Sequence, residues 1–233
     1  MRFSLTEHGT PARVDALPPG ADVAFTYLPE EDGDAAQTVQ LIEDAGQSAL
    51  ALPDDLQDEG FCLEVAAQVV EQLSGIDVLV NNAGYQMAQP NGVEDITTDQ
   101  LERTYRTNVF ALFWLVKAAL PHLRPGSSII NITSIQGYHP SPSLIDYAST
   151  KAAITSATFS LAQSLGGRGI RENAVAPEPI WPPPATQPTN RKDRGVRSGH
   201  APLGGLASLP NSRAPMCSLL PLILPMYRAQ SSG

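Results

Sequence analysis

Four side chains in the middle of the sequence are of types that can move a proton or polarise an oxygen. Tyr147 and Lys151 stand four positions apart in IDYASTK, residues 145–151, inside a run of helical character. Four residues is about one helical turn, so both side chains share a face. Ser134 lies thirteen residues before Tyr147, and Asn108 lies further upstream in a second helical run. A phenol and an ammonium placed this way form a candidate proton-transfer pair. Taken alone, a Tyr-x-x-x-Lys pair is more simply a packed or solvated helix face. The other positions also have plain structural readings. Asn108 could be a buried asparagine satisfied by backbone, Asn81 a brace between strands, and Asp55 an acid at a helix start. Ser134 is preferred over nearby Ser128 and Thr133 only by its spacing to Tyr147.

The elements that must position these groups alternate in type. Strand-like runs occur at DVAFTY (22–27), SALALP (48–53), DVLVNNAG (77–84), SSIINITS (127–134) and IRENAVAPE (170–178). Helical patterns lie between them at 34–46, 58–75, 97–123 and 146–167, the third with Thr98 as its expected N-cap. Strands alternating with helices of this length predict an α/β fold with a doubly wound, mostly parallel sheet. In such sheets ligands sit beyond the carboxyl ends of the strands, which here read NNAG, ITS and APEP.

Composition excludes several classes. A chain of 233 residues can bury one sizeable core, and its net charge of −9 argues against a nucleic-acid or anionic-membrane partner. Cys62 and Cys217 make no disulfide framework or zinc spacing, and His8, His122, His139 and His200 form no ligand cluster. No basic-then-apolar leader is evident, and the late apolar run SLLPLILP (218–225) is too short to span a bilayer. The expectation is a soluble cytoplasmic protein.

Ser134, Tyr147, Lys151, Asn108 and NNAG, in this order and spacing, resemble the short-chain dehydrogenase/reductase family, and the likeness extends over residues 20 to 181. GADVAFTYLPEE, DVLVNNAG, ALFWLVKAALPHL, SIINITSIQGY and DYASTKAAI are similar to its NAD(P)-dependent aldehyde or alcohol reductases. The resemblance implies a Rossmann-like domain and hydride transfer between NAD or NADP and a small carbonyl or alcohol substrate. It implies Tyr147 as general acid or base, with Lys151 lowering the phenol pKa and holding the nicotinamide ribose. Ser134 would polarise the substrate oxygen and Asn108 would hold a relay water. Asp55, Leu56, Asn81, Ala83, Gly84, Tyr147, Lys151, Pro177 and Ile180 would contact the cofactor. Subunits would pair as a homodimer or homotetramer through the helices at 98–123 and 146–166.

The sequence also departs from the family pattern. Residues 1–20 carry no spaced glycine cluster and no evident strand, so the expected domain, 21–181, lacks the first βα unit and the last strand. Glu172 stands where the family has an apolar residue, Glu178 where it has glycine, and Pro182 where it has threonine. Residues 1–178 hold 23 acidic and 9 basic side chains, whereas 179–233 hold one acid, six bases and ten of the 21 prolines. Residues 182–233 are therefore read as an irregular basic tail. Shifting the frame by one base over 191–203, and by two over 205–233, permits codons for family-like segments, with Met216 and Met226 each recoding as valine. The expectation is a frameshifted tail with a second slip near Gly204. The alternatives are a catalytically silent, degenerate member or an adaptor whose basic tail recruits a partner. Sequencing gene and transcript is expected to reveal both slips. An intact frame, with the native C-terminus verified by mass spectrometry, would overturn this reading.

Overall fold

The computed structural model describes residues 2–6, as backbone, and 21–177. Contacts divide the chain after Ala176, and the first unit contains the described fold. Its elements run β1 (Arg2–Thr6), β2 (Asp22–Tyr27), α1 (Asp32–Asp44), β3 (Ala49–Pro53), α2 (Glu59–Leu73), β4 (Ile76–Asn81), α3 (Thr98–Tyr105), a π-helical turn (Arg106–Phe110), α4 (Ala111–Ala119), β5 (Leu123–Ile132), α5 (Ile145–Gly166) and β6 (Arg171–Val175).

The strands form one sheet in the order β3-β2-β1-β4-β5-β6, and every pairing is parallel. This is the order of doubly wound dinucleotide folds. The chain steps one way across the sheet from β2 to β3 and the other way from β3 through β6. Right-handed crossovers therefore put α1 on one face and α2, α4 and α5 on the other. On that second face Leu52, Leu79 and Ile129 pack with Val65, Val69, Leu112, Leu115 and Ile154 in one core. Both sides of β4 and the end of β5 are buried, the mark of a parallel sheet covered on both faces.

The expectation that residues 1–20 hold no strand is corrected. β1 lies between β2 and β4, with Phe3 opposite both Val23 and Val78. The run RFSLT is too short and too mixed to announce itself, but two flanking strands present unpaired backbone edges that a sixth segment satisfies. Residues 7–20, where a glycine-rich turn would fall, lie outside the described residues. So do the expected absence of a last strand and the tail at 182–233.

Three boundaries also moved. The N-cap of α3 is Thr97, whose hydroxyl accepts from Gln100 N at 3.2 Å, rather than Thr98. The helix expected at 97–123 is interrupted at Arg106–Phe110, where Ala111 N bonds the carbonyl five residues back, at Arg106. It ends at Ala119, before Pro121, whose ring cannot continue the ladder. Leu123 is already in the sheet opposite Ile76, and a bulge absorbs Pro125 and Gly126 before Ser128 meets Val78. Among the described residues no helix is long and apolar enough to cross a membrane, and no group of acidic, Cys and His side chains could hold a metal ion.

Glu172 is the exception in this core. It is 3 % exposed on β6. Its Oε1 accepts from Asn131 Nδ2 at 2.7 Å, while Oε2 is buried without a hydrogen-bond partner. Burial pushes the carboxyl from 4.5 up to about 7, with the Asn131 bond opposing. A carboxyl raised on folding contributes stability that is full below its unfolded value and lost as pH climbs through the folded value. Replacing it with valine leaves Asn131 bonded to Thr158 and to Asn81. Glu172→Val is therefore expected to stabilise the protein by about 1–3 kcal/mol at pH 8 and by less at pH 5. Urea unfolding at the two pH values checks this; equal gains at both would contradict it.

Candidate functional site

The carboxyl ends of β4 and β5 and the start of α5 converge on the predicted residues. Ser134 follows β5 and caps a short turn, its Oγ accepting from Gln136 N at 3.2 Å. Its side chain is near enough to the Tyr147 phenol to act on its pKa, in the lowering direction. The neighbouring candidates are engaged differently. Thr133 donates to Val175 O at 3.0 Å, tying β5 to β6, and Ser128 is buried in the ladder opposite Val78.

Tyr147 and Lys151 lie one turn apart on α5. Lys151 is 2 % exposed, and its Nζ donates to Ile132 O at 2.7 Å. Burial lowers it from 10.5 to about 8. The ammonium stands 5.5 Å from the centroid of the Tyr147 ring. Burial raises the Tyr147 phenol, and the Ser134 side chain only partly opposes it. The ammonium is directed to a backbone carbonyl, and desolvation is the larger influence on the phenol.

Asn108 sits within the π-helical turn. Its Oδ1 accepts from Tyr85 N at 2.6 Å, and its Nδ2 donates to Tyr85 O at 3.0 Å and to Thr150 Oγ1 at 2.9 Å. It therefore fastens the segment after β4 to α5. A β-carbon on Gly84 would stand 3.4 Å from Lys151 Nζ and 3.8 Å from Asn108 Oδ1, so glycine keeps that approach open. Asn81 Nδ2 donates to Asn131 Oδ1 at 2.8 Å, bracing β4 against β5, and Asn81 Oδ1 is buried without a partner.

Leu56, Asn81 and Ala83 line one small pocket with Thr107, Asn108 and Leu115. Asp55 is not among its lining residues. Both its carboxylate oxygens are taken by Gln57, from N at 2.9 Å and from Nε2 at 2.7 Å. Pro177 is the last described residue, and Ile180 lies outside the described residues. Sequence reasoning did not find Gly137. A β-carbon there would lie 3.0 Å from Lys151 C and 3.2 Å from Lys151 O, so α5 rests directly on its backbone. The nearest signal was a glycine three residues after Ser134.

A family model described as enoyl-(acyl carrier protein) reductase matches residues 16–220. An uncharacterised oxidoreductase, YhxD of Bacillus subtilis, is 52 % identical over 164 residues, which is 70 % of this chain and 54 % of that protein. The chloroplastic NADPH-dependent aldehyde reductase 1 of Arabidopsis thaliana is 44 % identical over 169 residues, 70 % of this chain and 58 % of that protein. The chain thus spans little more than half the length of these relatives. Among solved structures, a blue fluorescent protein from a metagenomic library, in complex with NADPH, superposes with a TM-score of 0.74. It is 33 % identical, and the match covers 84 % of this chain and 82 % of that one. With the sheet order and with Ser134, Tyr147, Lys151 and Asn108 gathered at one sheet edge, these matches make the chain a member of the short-chain dehydrogenase/reductase family.

Proposed function

We propose that this protein is an NAD(P)(H)-dependent oxidoreductase that reduces a carbonyl on a small molecule, with Tyr147 as proton donor. The observation that carries this is Tyr147 standing one helical turn from a buried Lys151, whose Nζ lies 5.5 Å from the centroid of the phenol ring and donates to Ile132 O just before Ser134. The NADPH named for the Arabidopsis relative and for the metagenomic structure supports the cofactor class.

The residues present fit such a cofactor. Asn81 Oδ1 is a buried acceptor without a partner, Gly84 leaves room that a β-carbon would fill, and Leu56 and Ala83 line a pocket beside them. Leu56, Asn81, Ala83, Gly84 and Lys151 would hold the group, joined by Asp55, Pro177 and Ile180. When bound, it supplies the hydride. The chain's own residues do the rest. Ser134 Oγ and Tyr147 Oη together present hydrogen bonds to one oxygen, where negative charge develops on reduction. A phenol raised by burial stays protonated at neutral pH, the form that donates to a substrate oxygen. Lys151 keeps a positive charge behind the phenol and replaces the proton's charge as it leaves. Asn108 holds the segment at Tyr85 against Thr150 of α5, and it would hold a relay water leading to Lys151.

Lys151 loses its charge above about pH 8. A group needed protonated gives a rate that is level below its pKa and falls above it, so kcat/KM for carbonyl reduction is expected to fall as pH rises through about 8. Tyr147→Phe is expected to lower kcat by ~10²–10⁴-fold while weakening NADPH binding, read by nicotinamide fluorescence, far less than it lowers kcat. Absence of binding to both NADH and NADPH at millimolar concentration would exclude the proposal.

Self-association is the partner this reading favours. Phe110 and Phe113, flanking the start of α4, and Phe159 on α5 are 43 %, 47 % and 66 % exposed. Large apolar side chains exposed on two helices suit a homo-oligomeric interface. Phe159→Glu is expected to convert the assembly to monomer in analytical ultracentrifugation. A wild-type protein that sediments as monomer would refute the assignment.

A further inference from the structure

Asp146 precedes Tyr147 in the chain and has no role assigned above. Its carboxylate is 2 % exposed. The four donors around it are neutral. Oδ1 accepts from Gln89 Nε2 at 2.8 Å and from Tyr147 N at 2.8 Å. Oδ2 accepts from Gln100 Nε2 at 3.1 Å and from Thr104 Oγ1 at 2.8 Å. These donors belong to three parts of the fold: the loop after β4, helix α3 and the first turn of α5.

The start of α5 needs such help. Leu144 is its N-cap and has no side-chain acceptor. The first-turn donors find partners elsewhere, Ile145 N on Gln89 Oε1 at 3.2 Å and Tyr147 N on Asp146 Oδ1. Gln89 is itself 1 % exposed, and its backbone N donates to Ser143 O at 2.8 Å. One buried glutamine thus caps the helix that carries Tyr147 while its amide donates to the carboxylate at position 146. A carboxylate suits the junction because it only accepts, and four donors converge on its two oxygens.

We propose that Asp146 is the positioning residue of the proton-transfer site: its carboxylate clamps the loop at 82–97 and helix α3 onto the first turn of α5, and so fixes where the Tyr147 phenol stands. The importance of that phenol rests on the function proposed above; the clamp does not. Asp146→Asn is isosteric but introduces two N–H groups among four donors, whichever way the amide turns.

In cofactor-free protein, Asp146→Asn is expected to speed amide exchange at residues 85–96 and 145–148 by ~10-fold or more, leaving α2 and β4 unchanged. The Tyr147 ring signal, observed with ¹³C-tyrosine and assigned by its loss in Tyr147→Phe, is expected to titrate at lower pH than in wild type. Loosening admits water to the phenol, and removing a neighbouring negative charge acts in the same direction. With an accepted substrate, kcat is expected to fall ~10–100-fold with KM nearly unchanged. An inactive wild type would count against the proposed function alone, since exchange and titration still report on the clamp. Exchange unchanged at 85–96, or raised evenly across the fold with Tyr147 titrating as before, would overturn the clamp. Should Asp146→Asn not fold, Gln89→Met and Thr104→Val each remove one donor and are expected to move the same two readouts by less. Their failure to do so overturns the proposal equally.

Discussion

The site depends on one side chain that joins three elements at once. Asn108 uses both ends of its amide, accepting from Tyr85 N and donating to Tyr85 O and Thr150 Oγ1. The segment leaving β4 has no regular structure at Tyr85, so its backbone polar groups need partners, and the amide supplies a donor and an acceptor in register. The π-helical turn is what turns Asn108 to that task, since one extra residue in the turn shifts the face on which it emerges. With the segment fixed, Gly84 comes to lie beside Lys151 Nζ, while the Gly137 backbone packs against that of Lys151. Loss of that amide would free the chain between β4 and α3 beside the Lys151 ammonium.

Parallel topology explains why these groups meet. Each strand of β1, β4, β5 and β6 delivers its carboxyl end to the same edge, and the crossovers bring α3 and α5 back beneath it. Asn81, Ser134 and Lys151 are far apart in sequence yet adjacent because β4, β5 and the helix after β5 are neighbours in the sheet order. The polar residues at this edge are buried, so each must be satisfied locally. Asn81, Asn131, Thr158 and Glu172 form a chain of hydrogen bonds across β4, β5, α5 and β6 directly behind the site.

Much of this was legible in residue patterns. Five strands and the helices at α1, α2 and α5 follow from apolar periodicity and glycine stops, because those signals are local. The β1 strand was not legible, since RFSLT becomes a strand through the edges of β2 and β4 rather than through its own composition. The π-helical turn was also hidden. RTNVF contains neither proline nor glycine to mark it, and the partners its Asn108 meets, Tyr85 and Thr150, are distant in sequence. The grouping of Ser134, Tyr147 and Lys151 came from the family resemblance carried by their order and spacing with Asn108 and NNAG, since Tyr147 and Lys151 alone read as a helix face. The direction in which Tyr147 titrates was not, because spacing does not report where the Lys151 ammonium points or how much water reaches the phenol.

Two buried carboxyls show how the same group takes opposite roles. Asp146 is as inaccessible as Glu172, and burial pushes both upward. At Asp146 four hydrogen bonds outweigh that push, and its carboxyl is held below the ordinary value. At Glu172 only the Asn131 bond opposes it, one oxygen has no partner, and the carboxyl is driven to about 7. The number of donors within reach separates the two, and the Glu172 carboxyl is also the more deeply enclosed by surrounding protein. A buried carboxylate surrounded by donors from several elements acts as a joint between them. One with a single donor is a strain on the strand that carries it. By that criterion the first belongs to the architecture of the site, and the second is a charge that the surrounding fold tolerates only by keeping its proton.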